Sequence, residues 1–127
     1  AEDPRTDNPE EPLMALHHLK PTEVENLTQF EEGKPRHKAL VKTDQFEAIC
    51  LSLVAGEDIP EHHVPGFATV HCLHGAVEMI FADRTVTMTS GDWLYLDQKQ
   101  RHAVRAVEDA TVLLTIMLAK EAPRSVS

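Results

Sequence analysis

The sequence predicts an all-β domain, an antiparallel sandwich or barrel, and three observations carry that expectation. Eight short segments rich in β-branched and apolar residues follow one another at regular spacing from residue 37 onward. Gly, Pro, Asp or Ser punctuates most of the gaps between them. Almost nothing in that stretch reads as helix, and short strands at even spacing with turn residues between them are the signature of antiparallel β architecture.

The elements follow in order. Residues 1–20 form an acidic, Pro-rich arm, and its first dozen residues hold too few apolar groups to offset their ordering entropy by burial. The arm is therefore expected to be mobile. In "LHHLKPTEVENL" (16–27), Thr22 and Glu25 have the T-x-x-E spacing of a capping box, which predicts a short helical turn docked by Leu27. The barrel domain is expected over 21–119, with 120–127 a tail. Its strands are "HKALVKT" (37–43), "FEAICLSLVA" (46–55), "ATVHCLHG" (68–75), "VEMIFA" (77–82), "RTVTMT" (84–89), "WLYL" (93–96), "HAVRAV" (102–107) and "TVLLTIML" (111–118). "FADRTV" reads as a hairpin turn around Asp83, and "TSGDW" as a second turn. The last strand does not alternate apolar with polar, so it is expected to be covered on both faces, by the barrel or by a second subunit.

Composition narrows the function classes. A chain of 127 residues with 42% apolar residues supports one domain and one modest core. The net charge of −9 argues against nucleic acid or an anionic membrane as partner, since both attract basic patches. No stretch is long and apolar enough to span a bilayer, and no apolar signal core opens the sequence. Cys50 and Cys72 are isolated, outside any C-x-x-C, and are expected to be reduced thiols of a cytoplasmic protein.

Two segments carry a resemblance. Gly56-EDIPE-His62-His63-Val64-Pro65-Gly66-Phe67 runs on to Gly75, and Gly91-DWLYL-Asp97-Gln98-Lys99-QR-His102 runs on to Ala106. Together they resemble the two motifs of the cupin superfamily, G-x5-H-x-H-x3,4-E-x6-G and G-x5-P-x-G-x2-H-x3-N, over about residues 40–118. The tone of the second half is similar to small single-domain conserved-barrel cupins of the cupin 2 type. The resemblance implies a double-stranded β-helix, or jelly-roll barrel, with a metal-binding interior. His62 matches the first ligand and His102 the last. Val64 stands at the second ligand position and Phe67 near that of the glutamate, counted back from Gly75. Asp97, Lys99 and Ala106 replace the proline, glycine and asparagine of the second motif.

Strand side chains alternate, so residues two apart reach the same interior. If Phe67 faces inward as the glutamate does, His71 faces inward too, and His62, His71 and His102 form a three-imidazole site of a kind that catalytic zinc uses. In that arrangement His71 is a third ligand or a general base. The expected cofactor is one divalent transition metal (zinc, nickel, iron or manganese), with a metal-free barrel holding a relic histidine pair as the alternative. Val64, Phe67, Trp93 and Tyr95 are candidates for lining a ligand pocket; for Trp93 and Tyr95, which share a strand face, core packing is the competing role. His63 is expected to point away, and His17, His18, His37 and His74 to lie at the surface. Glu57, Asp58 and Glu61 read as a solvated loop, Asp92 as a turn residue, Arg84 and Arg101 as surface cations, and Met79, Met88 and Met117 as core filling.

Three functions follow as expectations. The first is a barrel that binds a divalent metal or a small organic ligand through histidines. The second, implied by the resemblance, is a metal-dependent dioxygenase, isomerase or decarboxylase acting on a small organic acid or phenol. The third is a non-catalytic ligand-sensing or structural barrel. A homodimer is expected in each case, because pairing removes unpaired sheet edges.

Overall fold

The computed structural model describes residues 15–16, 19–28 and 36–118. Ten strands appear among them: β1 (Ala15–Leu16), β2 (Arg36–Lys42), β3 (Phe46–Leu53), β4 (Asp58–His62), β5 (Phe67–His74), β6 (Ala76–Ile80), β7 (Thr85–Thr89), β8 (Trp93–Leu96), β9 (His102–Ala106) and β10 (Ala110–Met117). They form a six-stranded sheet, β1-β2-β3-β10-β5-β8, and a four-stranded sheet, β4-β9-β6-β7. Every pairing is antiparallel except β1 with β2. All eight segments expected as strands are strands, and the two sheets enclose one core that includes Val70, Val77, Met79, Leu96 and Val112.

Two strands are additions to the sequence reading. β4, taken as a solvated loop, contains Pro60 and has Ile59 as its one aliphatic side chain. It lies at the edge of its sheet, where a residue without an N–H breaks no ladder on the open side. β1 places Ala15 and Leu16 beside Lys38 and Ala39, so part of the arm is docked. Residues 1–14, His17, His18 and the tail beyond 118 lie outside the described residues.

The expected helical turn is instead a β-turn. Pro21 occupies its second position and Thr22, with φ +76°, its third. Glu23 N–H donates to the Lys20 carbonyl at 3.0 Å, and Lys20 N–H donates to the Glu23 side chain at 2.9 Å. Glu25, the expected capping partner, pairs with Lys38 at 2.6 Å.

The other turns form where their residues placed them. Phe81 N–H donates to the Arg84 carbonyl at 2.8 Å across Asp83. Asp92 Oδ2 accepts from Thr89 N–H at 2.8 Å. Met79 and Met88 are buried as expected, but Met117 is partly exposed, because it falls on the outward side of β10.

Candidate functional site

β10 sits between β3 and β5 and presents Val112 and Leu114 to the interior. These two, with Leu51, Leu53, Val70, Val77 and Met79, wall a cavity between the sheets. Ile59, His62, His102 and Val104 close its remaining side. Its empty volume is about 410 Å³, open mouth included, and the imidazoles are the only polar side chains among the described residues lining it.

The imidazole pair is built by strand register. His62 and His102 are direct partners across β4 and β9. On β9, His102 and Val104 are two apart and share the inward face, as alternation requires. On β4, Ile59 and His62 are three apart, yet both line the cavity. The bulge between them supplies the change of phase. The two rings meet edge to face, with centroids 4.2 Å apart and planes at 61°.

Both rings are oriented through the carbonyl two residues before them. His62 Nδ1 lies 2.8 Å from the Pro60 carbonyl oxygen, and His102 Nδ1 lies 3.1 Å from that of Gln100. A carbonyl oxygen only accepts, so each Nδ1 carries a proton and donates it, and Nε2 is the nitrogen that holds the lone pair whenever a ring is neutral. His102 is 3% exposed. Burial pushes its pKa below the ordinary 6.5; the Gln100 carbonyl pulls the other way, and the nearby His62 and His63 add a further downward push. At neutral pH His102 is therefore an uncharged acceptor at the wall of an apolar cavity.

The turn that delivers His102 carries backbone strain. Lys99 has φ +62°, a left-handed conformation that favours glycine, and it stands where the family motif has its glycine. Gln100 N–H closes the turn on the Asp97 carbonyl at 3.2 Å, while the Gln100 side chain accepts from Asp97 N–H at 3.0 Å. Outside the barrel, Arg101 pairs with Glu61 at 3.3 Å, so the residues next to each imidazole also tie β4 to β9.

His71 is not part of this site. On β5 the buried positions are Ala68, Val70 and Cys72; Phe67, Thr69, His71 and Leu73 point outward. The expectation of an inward His71 rested on placing the motif's glutamate at Phe67. Six residues back from Gly75 leave Ala68 as the matching position, and a slip of one residue exchanges the two faces of a strand. The three-imidazole site is therefore not assembled.

The expected pocket lining is corrected for the same reason. Phe67 stacks on Tyr95 on the outer face, with centroids 6.2 Å apart, and Trp93 lies opposite His71 on that face. Trp93 and Tyr95 are thus neither core nor pocket lining. Val64 is buried but lies away from the cavity wall. His63 and His74 are exposed as expected, and His37 is half-buried. The aliphatic cavity wall escaped sequence reasoning, although its members occupy the inward positions of strands that the sequence does reveal.

The donor set fits an open two-imidazole site rather than a four-ligand one. Val64 and Ala68 occupy the other two ligand positions of the motif. Among the described residues, no three His, Cys, Asp or Glu side chains gather as a metal-binding group. No helix among them is long and apolar enough to cross a membrane.

Comparison with known proteins agrees with this architecture. No curated protein matches in sequence. A conserved protein of unknown function from Streptococcus pyogenes superimposes with a TM-score of 0.72 at 24% identity, covering 84% of this chain and 96% of its own. A cupin superfamily protein from Desulfitobacterium hafniense gives 0.69 at 19% identity, covering 78% and 94%. An RmlC-like cupin from Desulfovibrio desulfuricans gives 0.64 at 24% identity, covering 80% and 98%. Residues 50–118 match the cupin domain family, and that span contains every strand of the barrel from the end of β3 to β10 together with both imidazoles. The chain is a member of the cupin domain family.

Proposed function

We propose that this barrel binds a small organic molecule with an apolar body and a hydroxyl or other proton-donating group, the body in the aliphatic cavity and the donor on the Nε2 atoms of His62 and His102. The observation that carries this reading is the pair of Nδ1–carbonyl contacts, which leaves two acceptor nitrogens at the wall of an otherwise apolar cavity. Such a pocket, apolar with a few convergent polar groups, is the usual form of a small-molecule site. Phenol against toluene is the discriminating pair of probes, since the two differ in the donor and little in shape. Phenol is expected to raise the melting temperature and move the His102 ring resonances, toluene to do less, and His102→Phe to abolish the difference. Equal responses to the two probes, or none at tens of millimolar, would end this reading.

A second reading is a divalent transition metal held by the same two nitrogens, with solvent completing its shell. Metal-binding imidazoles commonly donate their other N–H to a backbone carbonyl, as both rings do here. Titration of metal-free protein with zinc, nickel, manganese or iron tests it: saturable binding lost in both His62→Ala and His102→Ala supports it, and binding unchanged by either rejects it. Metal-assisted turnover of a small organic acid or phenol requires that ion first, so the same titration tests the enzymatic alternative. Two unpaired buried thiols suit a reducing compartment, and we place the protein in the cytoplasm.

A further inference from the structure

We propose that the cavity takes a primary alkylamine as its ammonium ion, the Nε2 atoms of His62 and His102 each accepting one of its N–H groups and the alkyl chain lying against the aliphatic wall. The proposal rests on the reading of the cavity as a small-molecule site and narrows the head group of the ligand. A count of hydrogens carries it. Each Nδ1 is committed to a carbonyl, and neither Nε2 meets a hydrogen-bond donor of the protein. Among the described residues, Thr111 Oγ1 is the one fully buried side-chain nitrogen or oxygen without a partner, so neither Nε2 is sealed in and each opens on free space. A lone hydroxyl has one hydrogen and serves one ring. Once the ligand has displaced water, the second acceptor is left without a donor, and an unpaired buried acceptor weakens binding. A head group that satisfies both rings therefore brings two hydrogens.

Geometry allows one donor atom to serve both. Two hydrogen bonds of about 2.9 Å that leave a single nitrogen at the tetrahedral angle of about 109° end on acceptors about 4.7 Å apart. The two rings stand at that scale, with centroids 4.2 Å apart. Their spacing is held by direct pairing across β4 and β9, so it exists before a ligand arrives. A carboxylate or another pure acceptor has no hydrogen to offer two lone pairs and is rejected.

Charge favours a cationic head over a neutral one. The chain carries a net charge of −9, which draws cations toward it. No Lys or Arg among the described residues lines the cavity to oppose an ammonium ion. His102 is uncharged at neutral pH, because burial and the neighbouring imidazoles disfavour its proton. Hydrogen bonds from a charged donor are about twice as strong as those from a neutral one. The third N–H turns to solvent at the mouth, beside the half-buried His62. A quaternary ammonium has no N–H and is held by aromatic faces, and no Phe, Tyr or Trp among the described residues lines this cavity. The wall is made of Leu, Ile, Val and Met side chains, which suit an alkyl chain.

Butylamine, butan-1-ol, butane-1,2-diol and butyltrimethylammonium share an alkyl chain and differ in the head group. Each is titrated into the full chain at pH 8 and constant ionic strength, with the ring resonances of His102 as the readout; an alkylamine is protonated there and His102 is not. Butylamine is expected to bind about tenfold or more tightly than butan-1-ol, because a second, charge-assisted hydrogen bond forms. Butyltrimethylammonium, which has the charge without the hydrogens, is expected to leave the resonances in place. His62→Leu should take about tenfold or more from the affinity for butylamine and narrow its lead over butan-1-ol. Equal affinities for butylamine and butan-1-ol, tighter binding of the diol, or an equal response to butyltrimethylammonium overturns the proposal. If phenol still exceeds toluene in that case, the cavity remains a small-molecule site and only the head group is wrong. If no probe moves the resonances at tens of millimolar, both readings fall. The comparison of probes needs no variant, so it decides the matter even if His62→Leu fails to fold.

Discussion

Gly75→Ala should be among the most damaging single-methyl changes in this protein. Gly75 links β5 to β6 with φ +78°. A Cβ there would sit 2.1 Å from the Asp109 carbonyl oxygen and 2.8 Å from Ala110 Cα. Both obstacles are backbone, at the start of β10, whose register is held by β3 on one side and β5 on the other. Relief requires a displacement of about 1 Å, given ordinary carbon–oxygen contact distances. It would disturb the Val107 and Glu108 N–H groups that donate to the Ala76 carbonyl, and the Asp109 carboxylate that accepts from Ala55 N–H at 2.9 Å. The left-handed backbone alone costs an alanine about 1–2 kcal/mol, offset by about 0.4–1 kcal/mol from a stiffer unfolded chain. Two or three weakened hydrogen bonds add about 1 kcal/mol each. The expected loss is about 3–4 kcal/mol, a large share of a total of 5–15 kcal/mol typical of domains. Gly56 and Gly91 are the internal controls: both have positive φ, and neither would bring a Cβ within 4 Å of anything. Their alanine variants should lose only about 1 kcal/mol. Urea unfolding of all three measures the difference, and equal midpoints for Gly75→Ala and Gly56→Ala would refute the crowding argument.

Three further outcomes are expected. Because burial holds the folded-state pKa of His102 below its unfolded value, the unfolded chain binds the extra proton first on acidification; stability should fall as pH drops through and below about 6.5 and level off above it. Urea midpoints between pH 5 and 8 should show that slope reduced in His102→Gln, and an identical slope in both proteins would contradict the assignment. Lys99→Gly removes left-handed strain and should stabilise the fold by up to about 1 kcal/mol in the same assay; destabilisation would show that the lysine side chain contributes more than its backbone loses. Cys50 and Cys72 are buried, and desolvation raises both thiol pKa values. A disulfide reagent at pH 8 should therefore titrate neither promptly in the folded protein and both after denaturation, and a fast-reacting thiol in the native state would contradict their placement.

The location of nearly every strand was legible in the chain, because β-branched runs between turn residues state their own boundaries. β4 escaped since an edge strand tolerates a proline and needs little apolar content. His62 and His102 were also legible, from motif spacing. The direction of His71 was within reach of the same motif: six residues between the glutamate position and Gly75 leave Ala68, and placing that position at Phe67 instead exchanges the faces of β5.

By itself, then, the sequence determined an all-β barrel with its strand boundaries, and the two histidines worth following. Tertiary structure decided which side of each strand meets which neighbour. The bulge in β4 turns His62 toward the cavity, two backbone carbonyls leave Nε2 as the free nitrogen of each ring, and the parity of β5 sends His71, Phe67 and their aromatic neighbours to the outside. The physical reason is that strand alternation is local and repeats along the chain, whereas its phase is set by bulges and by register against strands distant in sequence.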